Sequence, residues 1–174
     1  TINGYDQHIT IRPGEALMGE TPPTTTIIGT FATLSFDADA EKAYFAFKVP
    51  EDWTGDSDMT FIISWSDTDA DVILDTETVE WEINYRSRAE AETFDGGTNV
   101  KVEATYTQSG SAINKEIQET EIVLDYDNAN QPLTAGDYVS VALNRDVTND
   151  TYSGAANVGM VQVKYSSNST PKQL

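Results

Sequence analysis

Apolar and polar residues alternate with period two over most of this chain. Val79, Trp81, Ile83 and Tyr85 interleave with Glu80, Glu82, Asn84 and Arg86, as in an antiparallel strand with one buried and one wet face. Val100, Val102, Ala104 and Tyr106 alternate in the same way with Lys101, Glu103, Thr105 and Thr107. Val139, Val141 and Leu143 do so with Ser140, Ala142 and Asn144. Three runs are less cleanly sided: Ala43 to Val49, Met59 to Trp65 and Val158 to Tyr165. Phe31 to Phe36 and Ile117 to Tyr126 bring the expectation to about eight strands, the jelly-roll number. Turn-rich stretches such as Asp95-Gly96-Gly97, Gln108-Ser109-Gly110 and Asn149-Asp150-Thr151 separate them. Ser87 to Glu92 is the one helix-friendly segment, and it is too short to stand alone.

Strands without helical crossovers predict an all-β fold, a two-sheet antiparallel sandwich of jelly-roll type. Residues 1–30 break the pattern. Pro13-Gly14, Gly19 and Thr21-Pro22-Pro23-Thr24 lack the donors and periodicity of core structure. They predict an extended N-terminal arm, pinned at Ile9 and Ile11. The sandwich domain is expected over 31–165 and a polar C-terminal tail over 166–174. No internal repeat is present.

Length and charge narrow the picture. A chain of 174 residues buries enough surface to fold without staples, and with no cysteine disulfides, thiolate metal sites and Cys nucleophiles fall away. The 29 acidic residues against 10 basic ones give a formal charge of −19. Such a surface repels nucleic acid and anionic membranes, so neither is an expected partner. It also repels other copies of itself. No apolar run is long enough to insert in a bilayer, and Thr1 to Tyr5 show no basic or apolar region of a secretion signal.

Candidate chemistry is sparse. The single histidine, His8, falls in the arm, where a nucleophile–His–acid arrangement has little to build on. Asp67, Asp69 and Asp71 alternate in a loop, with Asp75 beyond, and could converge on a hard cation such as calcium. An EF-hand is excluded, because Val72 and Thr78 stand where that loop needs Gly and Glu. A glycosidase pair cannot be singled out among so many acids. Trp65 and Trp81 lie on apolar strand faces and read as core. Trp53 falls in a turn, which makes it the candidate sugar-stacking residue; the competing reading packs it beneath its own loop. Asn149-Asp150-Thr151 and Asn168-Ser169-Thr170 match glycosylation sequons.

Two segments carry a family resemblance. One runs from Ala43 through Pro50-Glu51-Asp52-Trp53-Thr54-Gly55 into Phe61 to Ser66. The other runs from Thr134-Ala135-Gly136-Asp137 to Arg145-Asp146, followed by Gly159 to Tyr165. Their order resembles a family of β-sandwich virion structural proteins of tailed bacteriophages and archaeal tailed viruses, over roughly residues 30–165. The shared residues are turn formers, so the resemblance implies architecture and setting rather than a reaction. It implies a non-enzymatic virion component, homo-oligomeric in place. Such a protein would decorate the capsid through contact with the major capsid protein, or sit in the tail. The reading from a different class is a carbohydrate-binding module that engages a host-surface glycan. A hydrolase fits the inventory least.

Overall fold

The computed structural model describes residues 4–68 and 70–168. Among these lie eleven strands: β1 (Tyr5–Ile11), β2 (Leu17–Met18), β3 (Thr24–Ile28), β4 (Phe31–Phe36), β5 (Ala43–Lys48), β6 (Met59–Ser66), β7 (Thr78–Arg88), β8 (Val100–Thr107), β9 (Gln118–Leu124), β10 (Tyr138–Arg145) and β11 (Ala156–Ser167). The only helical turn among them is a 3-10 turn at Pro13–Glu15. The eight strands read from periodicity are β4 to β11. Ser87 and Arg88 end β7 and the next residues form a turn, so the helix-friendly segment is not a helix.

The strands form two antiparallel sheets. One runs β3-β4-β11-β6-β9 with β1 also on β11, and the other runs β2-β5-β10-β7-β8. Strands pair β4 with β11, β5 with β10, β6 with β9 and β7 with β8. This is a long hairpin rolled up on itself, the winding of a jelly roll. Each inner face is apolar because the sequence alternates. Phe45 and Phe47, Trp81 and Tyr85, Val139 and Val141, and Phe61, Ile63 and Trp65 all point between the sheets and are buried. Edge-on aromatic contacts join the layers: Trp81 meets Phe36 at 5.5 Å and Trp65 at 6.1 Å between ring centroids. Trp65 donates its indole N–H to Thr120 Oγ1 at 3.1 Å, the usual arrangement for a buried indole, whereas the Trp81 N–H has no acceptor among the described residues.

The first thirty residues are extended, as expected, and are paired to the sandwich at more points than Ile9 and Ile11. β1 lies along β11 from Tyr5↔Ser167 to Ile11↔Val161, β2 pairs with β5, and β3 forms a hairpin with β4. Ile11 and Pro13 are buried there. β11, 12 residues long, serves two partners along one edge, while its pairing with β6 on the other edge shifts register between Val158 and Met160. Its first stretch pairs with β4 and its second with β1. The expected tail also starts later than position 166. Ser167 is buried, donates to Asp52 Oδ2 at 2.6 Å and ends β11; residues 169–174 lie outside the described residues.

Candidate functional site

Trp53 is packed rather than presented to solvent. It is 4% exposed, donates its indole N–H to the Ser57 carbonyl at 3.2 Å, and meets the Tyr126 ring edge-on. An indole in a turn is too large to stay wet when a core edge lies beside it. The reading that packs it beneath its loop is the observed one.

The acidic loop does structural work. Asp67 is buried, and its two oxygens accept the backbone N–H groups of Ile73 at 3.1 Å and Lys115 at 2.6 Å. A carboxylate committed in this way ties two loops together and has little left to offer a cation. Asp71 accepts the Ser153 hydroxyl at 2.8 Å, and Asp75 accepts the Gly110 N–H at 2.6 Å. Asp69 lies outside the described residues. Carboxylates do converge elsewhere: ligand atoms of Glu80, Glu103 and Asp146 lie within 4.8 Å of one another. These positions are far apart in sequence, so no spacing in the chain could have revealed them. Their oxygens are a donor set suited to a hard cation, and Glu80 already accepts the Thr105 hydroxyl at 3.0 Å.

His8 is exposed on β1, paired opposite Lys164. In the sequon at Asn149, that side chain donates to Asp146 Oδ2 at 2.8 Å and Thr151 Oγ1 accepts the Thr78 N–H at 2.8 Å.

An open concavity lies on the outer face of the second sheet, across β5, β10 and β7. Directly paired residues share a face. The rows are Lys48–Tyr138–Arg88, Ala46–Ser140–Arg86 and Tyr44–Ala142–Asn84. Small residues at Ala46, Ser140 and Ala142 make the floor low, and larger side chains rise around it. The result is a groove of ≈ 710 Å³. Tyr44 is 40% exposed, Tyr138 49% and Phe94 86%. Lys48 sits over the Tyr138 ring, 5.5 Å from its centroid, which steadies the ring through its quadrupole.

One wall is the loop between β7 and β8, held by two arginines. Arg86 donates to Asn99 Oδ1 at 2.7 Å and to the carbonyls of Asp95 and Gly96. Arg88 donates to the Gly96 carbonyl and pairs with Glu92 at 3.4 Å. Gln131, itself buried, donates to the Thr98 carbonyl at 2.7 Å and accepts the Ser87 N–H at 2.9 Å. Phe94 is thus presented by a braced loop. The lining includes Lys42, Arg86 and Arg88 but no aspartate, glutamate or histidine, although acids outnumber bases 29 to 10 in the chain.

Fold and groove together define a jelly-roll β-sandwich with an aromatic-rimmed trough on one outer face. No protein-family model matches the chain, and no curated protein matches it in sequence. Among solved structures it is similar to the CBM36-1 domain of a multidomain xylanase from the hindgut metagenome of Trinervitermes trinervoides. That likeness has a TM-score of 0.50 at 12% identity, over 90% of this chain and 96% of that domain. It is also similar to parts of two larger proteins. One is isomalto-dextranase of Arthrobacter globiformis T6 (TM-score 0.48, 16% identity, 90% of this chain, 23% of that one). The other is latent PorU of Porphyromonas gingivalis (TM-score 0.46, 9% identity, 95% of this chain, 13% of that one). At these identities the likeness speaks to the fold alone.

Proposed function

We propose that the protein is a non-catalytic carbohydrate-binding β-sandwich whose ligand lies in the groove across β5, β10 and β7. The observation that carries this is the trio of exposed rings, Tyr44, Tyr138 and Phe94, around a floor of small residues. Sugar rings present apolar C–H faces that stack on aromatic surfaces, while their hydroxyls take hydrogen bonds from polar groups at the margins. Asn84, Ser140 and Lys42 supply such groups here. With no carboxylate or imidazole in the lining, nothing there acts as a conventional acid or base on a glycosidic bond. A carbohydrate-binding module of a xylanase shares the fold, which adds support for this class of ligand.

A glycan array probed with the parent and with Tyr44→Ala, Tyr138→Ala and Phe94→Ala tests the reading. Each variant should weaken binding of a positive glycan about tenfold, the worth of one stacked ring. An array silent for the parent rejects it, as does binding lost only in Trp53→Ala.

A virion setting is a second proposal, supported by the resemblance of the two turn motifs. Those motifs meet in space: Val49 N–H donates to the Asp137 carbonyl at 2.8 Å and Gly136 N–H to the Val49 carbonyl at 2.9 Å. Detection of the chain on purified virus particles tests that setting, and its absence from them rejects it.

A further inference from the structure

We propose that β3 is a self-association edge: two copies join by antiparallel pairing of β3 with β3 of the second copy, which extends the six-stranded sheet across a two-fold axis. This inference is independent of the glycan reading. An edge strand presents a row of unpaired N–H and C=O groups, and proteins normally guard it with charge or keep it short. The other edges here follow that rule. β2 has two residues, β8 carries Lys101 and Glu103, β9 carries Glu119 and Glu121, and β1 carries Asp6 and His8. β3 does not. It reads Thr24-Thr25-Thr26-Ile27-Ile28, all β-branched, and among the described residues only β4 pairs with it.

The chain on either side of β3 is as unguarded as the strand, and charge comes near only where Lys115 and Glu119 line a concavity with Ile28 to Phe31. From Thr21 to Phe36 no side chain is charged, in a chain of formal charge −19. Gly29, at φ +62°, opens a two-residue turn between the paired Ile28 and Phe31, where a II′ turn takes its glycine. In that register Thr25 and Ile27 aim their N–H and C=O groups away from β4. The hairpin tip is apolar on both faces. Ile27, 64% exposed, lies opposite exposed Ala32 on one, and Phe31, 60% exposed, stands on the other.

The occupant follows from charge and symmetry. A basic partner would seek the acids, and this run has none. Two like-charged copies meet with least repulsion where acids are absent. A strand is its own antiparallel complement about a two-fold axis, so no second surface need exist.

Sedimentation velocity on the whole protein tests this at low and moderate salt. The parent should show a monomer–dimer equilibrium that tightens as salt screens the acids. Ile27→Lys places a charge on the edge while making the chain less acidic overall, so weaker association cannot come from greater net repulsion. Thr25→Pro removes an outward N–H. Each should raise the dimer Kd at least about tenfold with the fold intact. A second measurement needs no variant: hydrogen exchange at the Thr25 and Ile27 amides should slow as parent concentration rises. A parent monomeric at moderate salt up to its solubility limit overturns the proposal. So does association with unchanged exchange at those two amides, or folded variants that dimerise as tightly as the parent.

Discussion

At the scale of single residues, Arg145 shows how far a side chain can be committed to the fold. It is fully buried, and its guanidinium pairs with Asp150 at 2.6 and 3.1 Å. It also donates to the carbonyls of Phe36 at 3.2 Å, Gly154 at 2.5 Å and Tyr152, while lying over the Tyr152 ring. Lysine lacks the planar fork these acceptors require. Arg145→Ala should therefore cost about 3–5 kcal/mol by leaving the buried Asp150 without its counter-charge, and Arg145→Lys should recover little, as read by denaturant unfolding. Tyr85 is the converse case. Its hydroxyl is buried without a hydrogen-bond partner among the described residues, and burial, with Asp125 and Asp58 nearby, pushes its pKa up to about 12. Above the ordinary tyrosine value of about 10 the unfolded chain releases this proton while the folded one keeps it. The stability it contributes is thus present below that pH and lost as pH rises toward 12. Tyr85→Phe should be at least as stable as the parent at neutral pH and lose less stability between about pH 10 and 12 in thermal melts. From the sequence Arg145 reads as part of a turn motif; its burial is hidden there because most of its acceptors are backbone carbonyls.

At the scale of elements, β7, β8 and β10 are legible from clean alternation, and β4, β5, β6, β9 and β11 from apolar runs bounded by turn residues. β1 is not, since in Tyr5-Asp6-Gln7-His8-Ile9-Thr10-Ile11 only the last two apolar residues repeat, and the strand is fixed by the β11 ladder instead. The expected arm is thereby an edge strand with work to do. Deleting residues 1–12 should lower stability by at least about 2 kcal/mol, roughly the burial of Ile11. An unchanged thermal midpoint would contradict this. Asp67 follows the same logic. The density of acids marks its loop in the sequence, but its partner Lys115 N–H comes from a loop 48 positions on. Asp67→Ala should cost about 1–3 kcal/mol by orphaning two backbone donors, a loss read by chemical denaturation that added calcium should not restore.

At the scale of the whole molecule, the charge of −19 and the groove pull in different directions. The acids keep free copies apart and burden the folded state with self-repulsion. Neutral salt should therefore raise the thermal midpoint as the Debye length shrinks toward about 8 Å. The groove is where that coat is interrupted, with Lys42, Arg86 and Arg88 in a lining that has no acid. The sequence does not mark Tyr44, Tyr138 or Phe94 for binding; only Asn84, Arg86, Ser140 and Ala142 were visible there, on the outer faces of two strands. Their assembly into one trough was not, because Tyr44, Ala142 and Asn84 become neighbours only through the β5–β10–β7 register. The most direct test is an NMR titration of the parent with an oligosaccharide chosen from the array. Ligand binding in the trough predicts shifted amides at Tyr44, Ala46, Asn84, Tyr138, Ser140 and Ala142, with the opposite sheet undisturbed. Shifts confined to the Ile28–Thr33 hairpin or to the surroundings of Glu80, Glu103 and Asp146 would contradict the account.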